Sequence, residues 1–415
     1  MKQAIFQGRG VGGNTFLVVS LLILLILTVF SSFILYSNYA VLPFYVVWLA
    51  AVATYRGRLS KDEKTFTIVS FVYLVLVFSY ILLGYSSIDT LGLVVISSWI
   101  MAGIVSIYTM KLFNSRELSV VFYAMFIMLL ILMLIYTGQG REIRAAGDEY
   151  WAKDVANAWY GSLLMLLSGL SLIVILNIKR LFPRLIALLV LFLTLYINIF
   201  VLQRGTNVIM TLAEMGLILF FIIKNKTTVI SLSVVFGIFL VIVFSSDNLI
   251  LFFDWLAQNI PSDRLADRFN QISLALVYED MEASSGSMAS RSELMNISWN
   301  TFTSSFGHIL FGAGEHAGNN NIIGHHSFIL DTLASYGIIG GALLFLFFKK
   351  QYQIIMSNLD RKRDWALYMQ CSVVFLFYIL RNFYGKVAFG LVNYVILLFF
   401  PLCFQVINYY KNKKK

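Results

Sequence analysis

The sequence predicts an all-α, polytopic membrane protein of about twelve transmembrane helices, and three observations predict it. The 415-residue chain is 59% hydrophobic and only 13% charged, whereas a soluble domain carries about a quarter charged residues and cannot hide so much apolar surface. It holds four prolines, as expected where each lost backbone hydrogen bond would face lipid rather than water. Finally, apolar windows of about 20 residues recur along it, and the connections between them alternate in basic content.

Taken in order, the windows place helices at about 15–37, 39–55, 65–84, 90–110, 118–137, 159–178, 185–203, 206–223, 228–245, 327–348, 364–380 and 387–407. The first follows Lys2 and Arg9, exceeds the length of a signal-peptide core and lacks a small-residue cleavage site, so it reads as a retained helix. Cys371 and Cys403 fall inside apolar runs with no metal-ligand spacing around them, and read as apolar filling rather than a disulfide or a nucleophile.

Charge fixes the predicted orientation. Arg56, Arg58, Lys61 and Lys64; Lys111 and Arg116; Lys179, Arg180 and Arg184; Lys224 and Lys226; Lys349, Lys350, Arg361, Lys362 and Arg363; and the Lys411 to Lys415 tail all fall on one side with Lys2 and Arg9. By the positive-inside rule that side is cytoplasmic and holds both ends of the chain. The net charge of +10 is thereby read as topology signal and attraction to anionic membrane lipids. No basic stretch is interleaved with aromatics in the manner of a nucleic-acid surface.

The opposite face carries two long connections, about 138–158 and 246–326, which divides the chain into 1–245, 246–326 and 327–415. Asp247, Asp254, Asp263, Asp267, Glu279, Asp280, Glu282, Glu293 and Glu315 make the larger one acidic. Leu265, Phe269, Ile272 and Leu276 recur there at helical spacing, as in an amphipathic helix on the membrane or over the bundle. Residues 281–290 are small and polar, and read as a hinge. A loop of about 80 residues is far beyond ordinary connection length, and such loops are generally functional.

Three outer positions carry groups that topology does not explain. Arg204, in Leu202-Gln203-Arg204-Gly205-Thr206, sits in a very short connection between two apolar helices. A guanidinium there grips phosphate bidentately, or else merely snorkels to the headgroups. Arg291 lies in Ser290-Arg291-Ser292-Glu293, upstream of Trp299 and Gly312-Ala313-Gly314. His325 and His326 stand where the loop meets the next helix, suited to a general base or to plain hydrogen bonding with backbone. Secondary candidates are Arg381 and Lys386, on the last outer turn, and Tyr336 and Tyr384 as sugar-stacking rings or belt aromatics. Glu214 and Asp331 are carboxylates inside apolar runs, each expected to pair with an arginine in the bundle. Glu315, His316, His325 and His326 fit no closed zinc-site spacing, so no metal is expected.

The ordered set resembles the O-antigen polymerase and O-antigen ligase superfamily: Arg204-Gly205 opening a helix, a long outer loop with Arg291, Gly312-x-Gly314, then His326-Ser327-x-x-Leu330-x-x-Leu333-x-x-x-Gly337-x-x-Gly340. The family motif has Asn where this chain has Ser327, and a proline where it has Ile309. The resemblance covers roughly residues 203–340, with the helix pattern agreeing beyond it.

That resemblance implies a class C type of glycosyltransferase fold, acting without metal or other cofactor at the outer face of the bacterial inner membrane. Its donor would be a glycan on a polyisoprenyl diphosphate, usually undecaprenyl diphosphate, with a flippase and a chain-length regulator as partners. Arg204 and Arg291 would hold the diphosphate, and His326 would deprotonate the acceptor hydroxyl. The expected activity is polymerisation of O-antigen or capsule repeat units. The sister reading is a ligase that moves finished glycan onto lipid A core or another acceptor. From a different class, a transporter or lipid-linked-sugar flippase would predict broken helices and charges at mid-membrane depth.

Overall fold

The computed structural model describes residues 14–29, 42–55, 57–84, 90–113, 117–128, 130–131, 150–202, 205–222, 248–260, 266–267, 269–271, 273, 287–314, 323–324, 327–357, 359, 361, 364–384, 400–407 and 410. Among them the secondary structure is helical, with no strand. The helices are α1 Asn14–Val29, α2 Leu42–Thr54, α3 Lys61–Leu82, α4 Thr90–Leu112, α5 Glu117–Met128, α6 Tyr150–Asn177, α7 Leu181–Tyr196, α8 Gly205–Phe220, α9 Asn248–Asn259, α10 Ser287–Thr303, α11 Phe306–Phe311, α12 Phe328–Ser357, α13 Trp365–Tyr384 and α14, residues 400–407. A π-helical turn, Ile197–Leu202, continues α7. The helix expected at 228–245 lies outside the described residues.

Three stretches, Lys61–Leu82, Leu181–Ile199 and Phe328–Ser357, are long and apolar enough to cross a membrane. Pro43–Ala53, Ile100–Leu112, Glu117–Met128, Leu164–Asn177 and Asn207–Phe220 are shorter apolar helices. The long helices keep apolar residues on their outer as well as inner faces. Ile68, Phe71 and Phe78 of α3, Leu188, Leu189 and Phe192 of α7, and Ile338 and Phe345 of α12 are all exposed. A helix apolar all round is at home in lipid, where the solvent matches its outer face.

Boundaries depart from the sequence reading in three places. α6 begins at Tyr150, so the outer connection expected at 138–158 is helical in its last part. α10 begins at Ser287, inside the expected 281–290 hinge. α13 runs to Tyr384 rather than 380, which places Arg381 inside a helix and not on a turn. Each departure has one cause: polar residues such as Asn157, Ser290 and Arg381 mark the end of an apolar window without breaking backbone hydrogen bonding, so helices outrun it.

The start of α3 is fixed by a capping box. Ser60 Oγ accepts from the Glu63 N–H at 3.3 Å, and Glu63 Oε2 accepts from the Ser60 N–H at 2.7 Å. Glu63 also pairs with Lys111 at 3.0 Å, and Asp62 with Lys350 at 2.7 Å, tying α3 to the ends of α4 and α12. Away from this end, Phe66 packs on Phe347 with centroids 4.9 Å apart, and the aromatic run continues through Phe348 to Tyr378 of α13. α13 contacts both α12 and the group formed by α6 and α8, and so joins the two halves of the bundle. Cys371 and Cys403 are buried, as expected of filling side chains, and neither forms a disulfide.

In the long connection, Phe269 is buried against Ala257 and stacks on Phe253 of α9 at 5.8 Å. Residues 266–267, 269–271 and 273 are helical, and Phe269 is the one described residue of the four read at helical spacing. Leu265, Ile272 and Leu276 lie outside the described residues.

Candidate functional site around the start of α12

α12 begins at Phe328 because Ser327 caps it. Ser327 Oγ accepts from the Leu330 N–H at 3.3 Å, and Asp331 Oδ2 accepts from the Ser327 N–H at 3.2 Å. A hydroxyl from α10 completes the arrangement. Ser298 Oγ donates to Asp331 Oδ1 at 2.6 Å and accepts from the Gly324 N–H at 2.9 Å. Ser298 is fully buried, so its hydroxyl holds two otherwise separate pieces of chain where water does not compete. Gly324 fits there because it lacks a side chain: a Cβ would lie 1.7 Å from the Leu294 carbonyl oxygen.

Ten residues into α12 the helix breaks. Gly337 has φ 62° and ψ −162°, a conformation that L side chains rarely adopt. The break receives the loop after α11. The Ala313 N–H donates to the Ala334 carbonyl at 2.8 Å, and the Gly314 N–H to the Ser335 carbonyl at 3.1 Å, so carbonyls released by the break are satisfied. Gly312, with φ 78°, lies against Ser335, and Gly337 lies against Leu310 and Phe311. The small residues Gly312 and Gly337 thus let the end of α11 and the loop after it come close to α12. Tyr80 of α3 donates to the Phe311 carbonyl, and its ring meets Tyr336 edge-on at 5.0 Å.

The expected site residues fall as follows. His325 and His326 lie outside the described residues, bracketed by Gly324 and Ser327, both of which are anchored as above. Arg291 lies on α10, one turn before Leu294, with its side chain outside the described set. The α10 backbone and the ends of the histidine pair are therefore brought together. Arg204 lies outside the described residues, between the π turn and Gly205. The contacts of α8 are with α6, the π turn and α13, not principally with α10.

Tyr336 is 6% exposed and packed between Tyr73 and Tyr80, a position for a core ring rather than a sugar platform. Arg381, also 6% exposed, is enclosed in the last turns of α13, not displayed on an outer turn. Lys386 lies outside the described residues, as does the side chain of Tyr384. Glu315, His316 and the histidine pair lie outside them as well, and among the described residues no cluster of three metal-ligating side chains occurs.

Three features escaped the sequence reading. Ser298 had no signal, being one serine among several on a polar helix. Asp331, read as a carboxylate that could pair with an arginine, has Ser298 and Ser327 among its partners, and its position four residues after a serine was the available clue. His308, on α11, was not singled out. Its Nδ1 lies 2.6 Å from Ser304 Oγ, and its N–H donates to Ser305 Oγ.

Glu214 presents the opposite case. It is completely buried on α8, and among the described residues neither carboxylate oxygen has a hydrogen-bond partner, an arginine included. Neither a protein-family model nor a curated protein sequence gives a significant match to this chain.

Proposed function

We propose that this chain is a polymerase of lipid-linked polysaccharide repeat units. It transfers glycan from a polyisoprenyl diphosphate, of the undecaprenyl kind, to an acceptor sugar hydroxyl at the outer face of the inner membrane. The reading takes the chain as a twelve-span protein with cytoplasmic ends. One observation carries most of its weight: Gly324, beside His325, donates its N–H to Ser298 of α10 and lies against the Leu294 backbone, seven and three residues along that helix from Arg291, rises of about 10.5 and 4.5 Å. This nearness of backbone supports the reading, because a diphosphate leaving group and a hydroxyl nucleophile require a cation and a base on one rim.

The chemistry follows from charge. The His326 imidazole takes the proton from the acceptor hydroxyl as that oxygen bonds to the donor anomeric carbon. The bond from the anomeric carbon to the diphosphate oxygen breaks on the opposite side, and the lipid diphosphate leaves with the electron pair. Arg204 and Arg291 stabilise the charge that grows on it. Inversion at the anomeric carbon is the consequence.

Reconstituted protein supplied with polyisoprenyl-diphosphate glycan tests the reading, using wild type, Arg204→Ala, Arg291→Ala and His326→Ala. The expected result is chain extension by wild type and its loss in a folded His326→Ala variant. Normal long polymer from that variant removes the base assignment. A ligase shares donor and site, and a deletion strain separates the two. Single repeat units on the final acceptor mark polymerase loss, whereas glycan stranded on its carrier marks ligase loss.

A transport reading draws on the break at Gly337 and on Glu214. The break does not favour it strongly, because its carbonyls at Ala334 and Ser335 are occupied by the α11 loop and are not open to a solute. Uptake or exchange of labelled glycan lipid by vesicles, without chain growth, would establish it.

A further inference from the structure

Three helices meet around Glu214. On α8, Asn207, Thr211 and Glu214 share one face at spacings of four and three residues. On α7 and its π turn, Thr194 and Asn198 are one turn apart. α6 supplies Ser168 and Gly169. Contacts join these faces: Ser168 donates to Thr194 at 3.0 Å, Asn198 Nδ2 donates to Thr211 Oγ1 at 3.4 Å, and Gly169 lies against the Glu214 carboxylate. All are buried, in a part of the bundle otherwise built of leucine, isoleucine and valine. Glu214 lies about 14 Å along α8 from Gly205, close to half the thickness of a bilayer core.

The hydrogen-bond accounting in this seam does not close. Among the described residues, both Glu214 oxygens, Asn198 Oδ1 and the Asn207 Nδ2 donor are enclosed and unpartnered, while nearby Ser168 and Thr211 have partners. An unpaired carboxylate at this depth is expensive, and intramembrane acids ordinarily hold a partner or mark an ion site. One carboxylate in a seam that otherwise carries neutral oxygens balances one positive charge; a divalent ion would leave an excess charge in the bilayer. The extra neutral oxygens are what a small hard cation takes as ligands. The π turn adds to this, since such turns sit inside α-helices mostly at functional sites.

We propose that the seam between α6, α7 and α8 binds one sodium-sized monovalent cation, with the Glu214 carboxylate as its anionic ligand and the Asn198, Thr211, Thr194 and Ser168 oxygens around it. The site is separate from the one assigned to glycosyl transfer and does not rest on that reading.

Thermal unfolding of the purified full chain is compared in sodium, potassium and choline chloride at one ionic strength. Equilibrium binding of radioactive sodium is measured in parallel. Sodium is expected to raise the wild-type midpoint saturably, by about 2 °C at roughly ten times the dissociation constant, with one ion bound per chain. Glu214→Gln, almost isosteric, is expected to lose both responses. Gly169→Ala is expected to weaken binding, because its methyl would stand 2.4 Å from Glu214 Oε1. Equal midpoints in the three salts with no bound sodium overturn the proposal, as does a sodium response that survives in Glu214→Gln. Should Glu214→Gln not fold, Asn198→Ala takes its place, and an unchanged sodium affinity in that variant overturns the assignment.

Discussion

Replacing Ser298 by alanine removes one oxygen from the structure and two hydrogen bonds from the start of α12. The Gly324 N–H, which donates to that oxygen at 2.9 Å, is left buried without an acceptor, a loss of about 1–3 kcal/mol. The bond to the Asp331 carboxylate at 2.6 Å is charge-assisted and contributes about 1.5–3 kcal/mol. Because both losses fall on one atom they do not add in full, and Asp331 keeps the Ser327 N–H. The expected destabilisation is about 2–4 kcal/mol. Denaturant titration in mixed micelles measures it, with Asn300→Ala, on an exposed position of the same helix, expected to stay within about 0.5 kcal/mol of wild type. Chain extension by the reconstituted variant is expected to fall with the loosening of the residues beside His326. A Ser298→Ala protein as stable as the Asn300→Ala control would refute the claim that this hydroxyl holds the loop to the helix.

Gly337→Ala is expected to be worse than most glycine replacements, at about 3–5 kcal/mol. Positive φ accounts for about 1–2 kcal/mol of that, and the new methyl, 2.4 Å from the Leu310 carbonyl oxygen, must push backbone away; a melt within a degree of wild type would contradict it. Tyr80→Phe removes a single bond to the Phe311 carbonyl and should lower stability by about 1 kcal/mol, read by the same titration. Asp62→Asn should change stability by less than about 1 kcal/mol, and less still at high salt, because the carboxylate is half-exposed beside Lys350. A salt-independent loss of several kcal/mol would show the pair to be structural.

Helices that repeat an apolar period were legible because lipid imposes one demand on every outward side chain, and Ile68, Phe71 and Phe78 answer it in α3 as plainly as in the sequence. Their ends were less so. Arg381 reads as a terminus in a hydropathy window, yet its backbone continues the hydrogen-bonded turn to Tyr384. What the sequence hid was tertiary. Gly337 and Gly340 appear in the motif as a pair of small residues, and nothing local distinguishes the one that breaks the helix at φ 62° from the one that does not. That difference is made more than twenty residues away, by Leu310 and Phe311, whose backbone lies against Gly337, and by Ala313 and Gly314, whose N–H groups take the Ala334 and Ser335 carbonyls. Ser298 is hidden for the same reason: its value lies in Gly324 and Asp331, and no spacing rule links the three.

The break in α12 and the carboxylate of α8 are both departures from a regular apolar bundle, but they differ in whether their polar groups are answered. At Gly337 the freed carbonyls have donors from Ala313 and Gly314, and Tyr80 caps the incoming loop, so the irregularity is complete within the chain. Such a junction fixes the geometry of what lies beside it, here the residues bracketing His325 and His326, and has no need of a ligand itself. At Glu214 the chain provides enclosure, a glycine to make room and hydroxyls one turn away, yet among the described residues no hydrogen bond reaches either carboxylate oxygen. A proton or a monovalent cation relieves an imbalance of that kind, and the proposal above takes the cation. The two features therefore differ in kind: the break in α12 is satisfied within the chain, and the seam within α6, α7 and α8 is the one proposed to take an ion.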